Sequence, residues 1–244
     1  MLYNDLIIVD FVSALVDQMR DTGVISAISA KQSNGTYIVT ATNSTKAIVG
    51  DFVIIGTALD LEVTANTSNT FTVKPIYTTS LTYTSGLTWK TAKPYFEYGH
   101  ALEIANMIME KDESHVYKYQ KYPLVALYLD IPETRFSKDD IPNIECSLYI
   151  ILVQETKQEY TASERQTNVF KPVLYPLYNK LMTVLEANRK LFLMGIDENF
   201  THKKTDKYLH NSGGTNQNTL NAFVDAIEIE NLKLKIKLVS TYVC

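Results

Sequence analysis

Histidines are the residues of this chain that could most readily bind a metal or exchange a proton near neutral pH. The four histidines, His100, His115, His202 and His210, form no H-x-x-x-H pair of the kind that places two ligands on one helix face. Asp206 lies between His202 and His210, but no cysteine lies near them. We therefore predict no metal site, and we interpret the last two histidines as exposed loop residues.

Carboxylates are the other candidates for acid–base chemistry. Asp139 and Asp140 precede a proline in a predicted turn, where adjacent acidic residues are usually solvated. The chain has no glycine-rich phosphate loop and no G-x-S-x-G nucleophile motif. We predict no catalytic residues, no cofactor and no enzymatic activity. The enzymatic alternative is a lytic hydrolase that uses Glu97, Asp139 or Asp140.

A segment that alternates tyrosine with lysine offers a different kind of chemistry. Residues 116–123 read VYKYQKYP, in a chain with 16 tyrosines. Such a ladder could stack on bases or sugars, or it could supply contact area at a subunit interface. The net charge of -4 and a pI near 5.6 show no overall basic character of the kind that nucleic-acid binding requires. We therefore favour an interface or core role for Tyr117 and Tyr119.

The C-terminal segment DAIEIENLKLKIKLV, residues 225–239, has a strand pattern that changes partway. Ile227 and Ile229 put apolar side chains on odd numbers, whereas Leu232 and Leu234 put them on even numbers. A regular strand has a strict period of two and cannot satisfy both halves. One extra residue near Asn231, a β-bulge, would reconcile them, and so would a tight change of direction between two strands.

The charged side of this segment is acidic first and basic afterwards. We expect it to stay in contact with water through the break, which leaves two interpretations. The charges could pair with a neighbouring copy arranged head to tail, as in a ring, or the segment could be a solvated edge strand whose lysines discourage aggregation. The predicted subunit-interface residues are Glu228, Glu230, Lys233, Lys235, Lys237, Tyr117 and Tyr119.

The elements that would position these residues fall into two groups. A helix with a broad apolar stripe is predicted from Tyr3 to Thr22, with Gly23 as a left-handed cap. Residues 24–92 are rich in β-branched residues and turns, which predicts about four to six strands in a small barrel or sandwich. We predict that 24–92 is a domain inserted into a host domain formed by 1–23 and 93–244.

The host domain is predicted to be α+β, a mostly antiparallel sheet with its helices on one face. Its strongest strands are two adjacent, central apolar runs. Pro176 would either kink the long helix that contains it or delay its start. The predicted elements are a helix that starts at Pro94, strands at 122–131 and 143–156, a helix at 169–191, an exposed polar loop at 197–219 and the C-terminal strand segment.

Cysteine usage and the N-terminus bear on the compartment. Cys146 lies in an apolar strand pattern and Cys244 is the last residue, so we expect two reduced thiols and no disulfide framework. Asp5 and Asp10 interrupt the apolar N-terminal run, which disfavours a signal peptide or a membrane-spanning helix. Both observations favour assembly in a reducing cytoplasm.

Three stretches of the host domain, YPLVALYLDI (122–131), FKPVLYPLYNKLM (170–182) and DAIEIENLKLKIK (225–237), carry a family resemblance. In order and spacing they resemble neck proteins of tailed bacteriophages and prophages of Bacteroidetes hosts, including the crAss-like group. The resemblance implies a tail-terminator or head-to-tail connector fold for 1–23 and 93–244. The insertion at 24–92 departs from the compact connector pattern.

The resemblance also implies a function and partners. The chain would be a virion structural protein, assembled in the host cytoplasm into a neck ring of about six or about twelve copies between portal and tail. Portal or adaptor and tail proteins would be its neighbours, with DNA only as transiting cargo and no membrane contact. A neutral-to-acidic protein suits a DNA conduit, because a strongly basic lumen would retain the phosphates.

An alternative function belongs to the inserted domain. Aromatic side chains can stack on sugar rings, and 24–92 contains Tyr77, Tyr83 and Trp89. The chain would then be a phage accessory protein that binds a surface or a carbohydrate through this domain.

Overall fold

The computed structural model shows an α+β chain with mostly antiparallel sheets and few helices, as the sequence predicts. It divides into two compact units. The sheet unit contains the described residues of Met1–Met19, Phe96–Lys111 and Tyr122–Cys244, and the barrel unit those of Arg20–Tyr95. The structure describes residues 4–76, 80–109, 122–129, 131–136, 143–188, 200–206 and 223–237.

The barrel unit is a closed barrel of six strands in the order β1-β2-β5-β4-β3-β6. Neighbouring strands pair antiparallel, and a short 3-10 helix at Ser44–Lys46 lies between β2 and β3. Closure leaves no open edge, which resolves the choice between barrel and sandwich. The strands are β1 Thr22–Ile28, β2 Tyr37–Ala41, β3 Phe52–Ile55, β4 Ala58–Asn66, β5 Thr70–Pro75 and β6 Thr88–Thr91.

Aromatic rings fill the interior of the barrel. Trp89 is 1% exposed and its ring centroid lies 4.9 Å from that of Phe71, while its indole N–H donates to the Thr42 carbonyl at 3.1 Å. The proposal that Trp89 stacks on a sugar is therefore wrong, because the ring belongs to the core. Tyr83 is 40% exposed, and Tyr77 lies outside the described residues.

Gly23 does not cap a helix, contrary to the prediction. The N-terminal helix α1 spans Asn4–Gln18, and Gly23 lies inside β1. A Cβ at Gly23 would come within 2.1 Å of the Thr42 carbonyl oxygen and 2.4 Å of Trp89 Nε1. The glycine is therefore needed for the close approach of two backbones around the tryptophan, and not for a left-handed turn.

The sheet unit contains the second sheet, with strand order β11-β12-β10-β8-β7. The two predicted apolar strands are confirmed as β8 and β10, which pair antiparallel with Ile150 opposite Leu127. The remaining strand β9 pairs with the other end of β10. The strands are β7 Tyr95–Gly99, β8 Leu124–Tyr128, β9 Glu133–Phe136, β10 Asn143–Glu155, β11 Thr201–Thr205 and β12 Val224–Lys237.

One face of this sheet, the helix face, packs against α1 and a long helical segment. That segment consists of α3 (Ala162–Arg165), a π-helix (Gln166–Leu174) and α4 (Tyr175–Ala187). Together with β8, β10 and β12 these helices form one apolar core. The remaining helix, α2 (Ala101–Met109), contacts β8, and its buried residues lie outside that core cluster. None of the described helices is long and apolar enough to cross a membrane.

Two helix starts differ from the prediction. Pro94 precedes strand β7, and α2 begins only at Ala101, because the aromatic residues after Pro94 fit a strand as well as a helix stripe. The long helical segment begins at Ala162, ahead of the predicted start, after the N-cap Thr161. Pro176 is the second residue of α4, but the helical segment already runs through the π-helix before it, so the predicted delay of the helix start is wrong.

Candidate assembly surface

Strand β11 occupies one end of the strand order and was predicted as part of an exposed loop. It pairs antiparallel with β12, with Thr201 opposite Glu230 and Thr205 opposite Ala226. The side chains from Thr201 to Lys204 are exposed. The sequence gives no apolar alternation here, so the strand has no local signal and the loop prediction is wrong for these five residues.

On the helix face, β11 is attached through Lys204. Its ammonium lies 5.2 Å from the ring centroid of Tyr175 and 5.7 Å from that of Phe170, and it donates to the Tyr175 hydroxyl at 2.5 Å. Gln166 donates to the same hydroxyl at 3.2 Å. These two donors, Lys204 first, lower the pKa of Tyr175, because they stabilise negative charge on its oxygen. Lys204 thus joins β11 to the π-helix and α4.

His202 makes a second contact on the same face. Its ring centroid lies 5.2 Å from that of Tyr178, and the Tyr178 hydroxyl is 3.4 Å from Nδ1. Burial raises the pKa of Tyr178. His202 is therefore exposed, as predicted, but it lies on a strand and its ring contacts Tyr178 of α4.

On the opposite side of the sheet, the second face, β11 is attached to a buried carboxylate. Glu228 of β12 is 6% exposed and accepts hydrogen bonds from the hydroxyls of Tyr149 and Thr205. The Lys203 ammonium lies 3.7 Å from its Oε1, but that side chain is 63% exposed, so water screens the attraction. Burial, and then the hydrogen bond to Glu228, raise the pKa of Tyr149 above its ordinary range.

The predicted break in β12 is a β-bulge. Leu148 pairs with Leu232 and Ile150 with Ile229, so Tyr149 lies opposite two residues, Glu230 and Asn231. Asn231 has a φ of 58°, in the left-handed region that asparagine tolerates better than most residues. The bulge keeps the apolar residues on both sides of Asn231 in the same core.

The predicted interface residues do not all lie on one solvent-exposed surface. Glu228 is the clear correction: it is buried within the chain, because a tyrosine, a threonine and a lysine surround its carboxylate. Glu230 is half-buried and Lys233 is exposed. Lys235 and Lys237 belong to β12, but their side chains lie outside the described ones, as do Tyr117 and Tyr119 altogether.

A buried ion pair was missed by the sequence reasoning. Arg165 donates to Asp225 Oδ1 at 2.7 Å and to the Thr156 hydroxyl at 3.1 Å, and its other nitrogens donate to the carbonyls of Lys157 and Tyr160. The two side chains are 2% and 0% exposed. The sequence TASE is a capping-box signature that could have placed Arg165 at a helix start, but nothing local points to Asp225.

The described residues of this surface interact through hydrogen bonds, charge and aromatic contact. Within the described ranges, no group of three or more histidine, cysteine, aspartate or glutamate residues could hold a metal ion. His210 and the acidic pair Asp139 and Asp140 lie outside those ranges, so the predictions for them stay predictions.

Comparison with known protein families, with curated proteins and with solved structures found no match for this chain.

Proposed function

We propose that this chain is a virion structural protein without enzymatic activity, which assembles with identical copies into a ring in the neck of a tailed phage. The ring would lie between portal and tail and surround the path of the DNA. Its neighbours would be portal or adaptor proteins and tail proteins. The placement in a phage neck rests on the resemblance of 122–131, 170–182 and 225–237.

The observation that best supports assembly is the construction of β11. Its side chains on both faces are attached to residues of the same chain, namely Tyr175, Tyr178 and Glu228. An antiparallel strand directs alternate backbone groups to each side, so part of the backbone of β11 is directed away from β12. A fixed strand with such an edge is the surface that protein partners use for strand addition.

The distribution of charge fits a conduit. The whole chain has a net charge of -4, which avoids strong retention of passing phosphates. The basic residues of β11 are concentrated within a strand of five residues. A local basic edge in a weakly acidic protein suits contacts with a neighbouring subunit better than wrapping of nucleic acid.

Electron microscopy would test the proposal directly. We expect the purified chain to form rings in negative stain, or antibody against it to label the neck of the phage particles that carry it. Particles assembled without the chain should retain heads and tails that fail to join. A chain that is absent from particles, and whose loss leaves them joined and infectious, would contradict the proposal.

A further inference from the structure

Several hydrogen-bond donors of the sheet unit converge where the π-helix meets α4. The Tyr175 hydroxyl accepts from the Lys204 ammonium at 2.5 Å and from the Gln166 side-chain amide at 3.2 Å. The hydrogen bond from Lys204 contributes most to the lowered pKa of Tyr175, the one from Gln166 follows, and the charge of Lys171 adds to them. Lys171 therefore lies near the same hydroxyl. We call Gln166, Lys171, Tyr175 and Lys204 the donor cluster.

The π-helix brings this cluster together. Gln166 and Tyr175 are nine residues apart, which at about 3.6 residues per turn would put them on opposite faces of an α-helix. The wider turn of the π-helix, in which the Tyr175 N–H bonds to the Phe170 carbonyl, returns both side chains to one face. Such segments are rare, usually a single turn long and frequent at functional sites, whereas this one spans nine residues.

The positive charge of the donor cluster is not neutralised within the described part of the chain. The ion pairs found there involve other residues, and neither Lys171 nor Lys204 pairs with a carboxylate. Lys204 contacts neutral groups, namely the rings of Phe170 and Tyr175 and the hydroxyl. The Tyr175 hydroxyl already accepts twice, so its own proton is left to donate. Both ammonium groups and this proton are thus available to an anion.

The number and arrangement of the donors favour a tetrahedral oxyanion. A carboxylate presents two oxygens in one plane, whereas a phosphate group presents several that point in different directions. Lysine binds phosphate as a point charge and needs no planar partner. We propose that the donor cluster binds a phosphate group, either free phosphate or a phosphate of nucleic acid. This inference goes beyond the proposed ring and does not depend on it.

The titration of Tyr175 reports whether the site is occupied. A bound phosphate is an anion beside the phenol oxygen, so it disfavours the phenolate and raises the pKa of Tyr175. By linkage, phosphate binds more weakly as Tyr175 ionises at higher pH. We expect a saturable rise in this pKa when sodium phosphate replaces sodium chloride at constant ionic strength. Nuclear magnetic resonance of the tyrosine-labelled full chain measures it, and the exposed Tyr83 should titrate alike in both salts.

Variants of Lys171 separate charge from folding, because other residues make the hydrogen bonds that attach β11. Lys171→Gln should weaken phosphate binding by about threefold, since one exposed charge contact is lost, whereas Lys171→Arg should retain it. Lys31→Gln, at an exposed lysine of the barrel unit, is the matched control and should bind as the wild type does. Amide exchange in Thr201–Thr205 should be the same in all three variants. Full phosphate binding by Lys171→Gln would overturn the proposal.

A second arm identifies the source of the phosphate. A short single-stranded DNA oligonucleotide replaces inorganic phosphate in the same titration, at equal phosphate content. A Tyr175 response at lower DNA concentration assigns the site to nucleic acid, and an equal or weaker one assigns it to free phosphate. If neither ligand shifts the pKa of Tyr175, the proposal is wrong. A response of the same size to acetate or polyglutamate would assign the site to carboxylates and would also overturn it.

Discussion

Strands β6 and β11 are both short, and they are held in opposite ways. β6 lies between β1 and β3 in the closed barrel, and its Trp89 is buried against Phe71. β11 pairs with β12, and most of its side chains are exposed. The first strand is fixed by apolar burial, and the second by an ammonium on aromatic rings and by hydrogen bonds to a carboxylate.

The difference matters because the two kinds of contact differ in strength and range. Burying a large aromatic side chain contributes roughly 1.5–3 kcal/mol and does not depend on a precise orientation. A single cation–π contact at an exposed site contributes about 0.5–1 kcal/mol, and a single hydrogen bond about 0.5–1.5 kcal/mol. β6 should therefore unfold only together with the whole barrel unit, whereas β11 should detach from its sheet by local unfolding.

Replacement of Phe71 by alanine should have the largest effect. The ring is fully buried, so the variant loses burial and leaves a cavity beside Trp89. We expect the free energy of unfolding to fall by roughly 3–5 kcal/mol. Trp89 is the single tryptophan, so its fluorescence during urea denaturation reports on the barrel. Tyr83→Ala, at an exposed site, is the control and should change the free energy of unfolding little. Equal stability of the two variants would contradict the core role of Phe71.

Removal of Arg165 tests whether a buried polar contact in the sheet unit contributes as much to stability as the buried Phe71 ring does in the barrel unit. Arg165→Met leaves Asp225 in the interior without its guanidinium. We expect a loss of about 3 kcal/mol, seen in denaturation followed by far-UV circular dichroism. The double variant Arg165→Met, Asp225→Leu should recover much of this loss, because it removes the stranded charge. A single variant as stable as the wild type would show that the pair is dispensable.

Tyr149→Phe tests the buried Glu228 carboxylate, to which β11 is attached through Thr205 on the second face. The loss of the hydroxyl should cost about 1–2 kcal/mol near neutral pH, because Glu228 then lacks a donor. The pKa of Tyr149 is raised in the folded chain, so its stabilising contribution is complete below the unfolded pKa of about 10 and is lost as pH rises above it.

The stability gap between wild type and Tyr149→Phe should therefore shrink as the pH of the urea titrations rises from about 8 to about 11. Tyr83→Phe, at an exposed tyrosine of the barrel unit, is the control and should cost little stability. A gap that stays constant across this range would contradict the raised pKa of Tyr149, which burial and then the hydrogen bond to Glu228 cause.

Lys204→Met should have the smallest effect on global stability, about 0.5–1 kcal/mol. Its local effects should be clear: faster amide exchange in Thr201–Thr205, and a rise in the pKa of Tyr175 when its strongest donor is removed. Both can be followed by nuclear magnetic resonance. Lys203→Met, on the other face, should leave the Tyr175 titration unchanged. Unaltered amide exchange in β11 would show that the Lys204 contact with Tyr175 does not hold this strand in place.

The parts of the fold that could be predicted are those fixed by local patterns. β-Branched residues separated by turns predicted about four to six strands at 24–92, and two apolar runs predicted β8 and β10. The change of parity at Asn231 predicted either a bulge or a tight change of direction, and the structure shows the bulge, which keeps both halves in one core.

The parts that failed depend on distant residues. Gly23 needs no side chain because Trp89 and Thr42 approach it, which no neighbour in sequence reveals. Glu228 lies among charged residues in the sequence. Its carboxylate is nevertheless buried, because the hydroxyls of Tyr149 and Thr205, from two other strands, donate hydrogen bonds to it. β11 is a strand because β12 and Tyr175 hold it there, so its own five residues carry no sign of it.

The bulge has a consequence for how β12 can change in length. Asn231 shifts the alternation of side chains by one residue, so that the parts of β12 before and after it both direct their apolar residues to the core. Its own side chain is exposed. Deleting it would force one half to turn its lysines or glutamates inward. An exposed residue of β12 therefore determines which side chains of each half face the core.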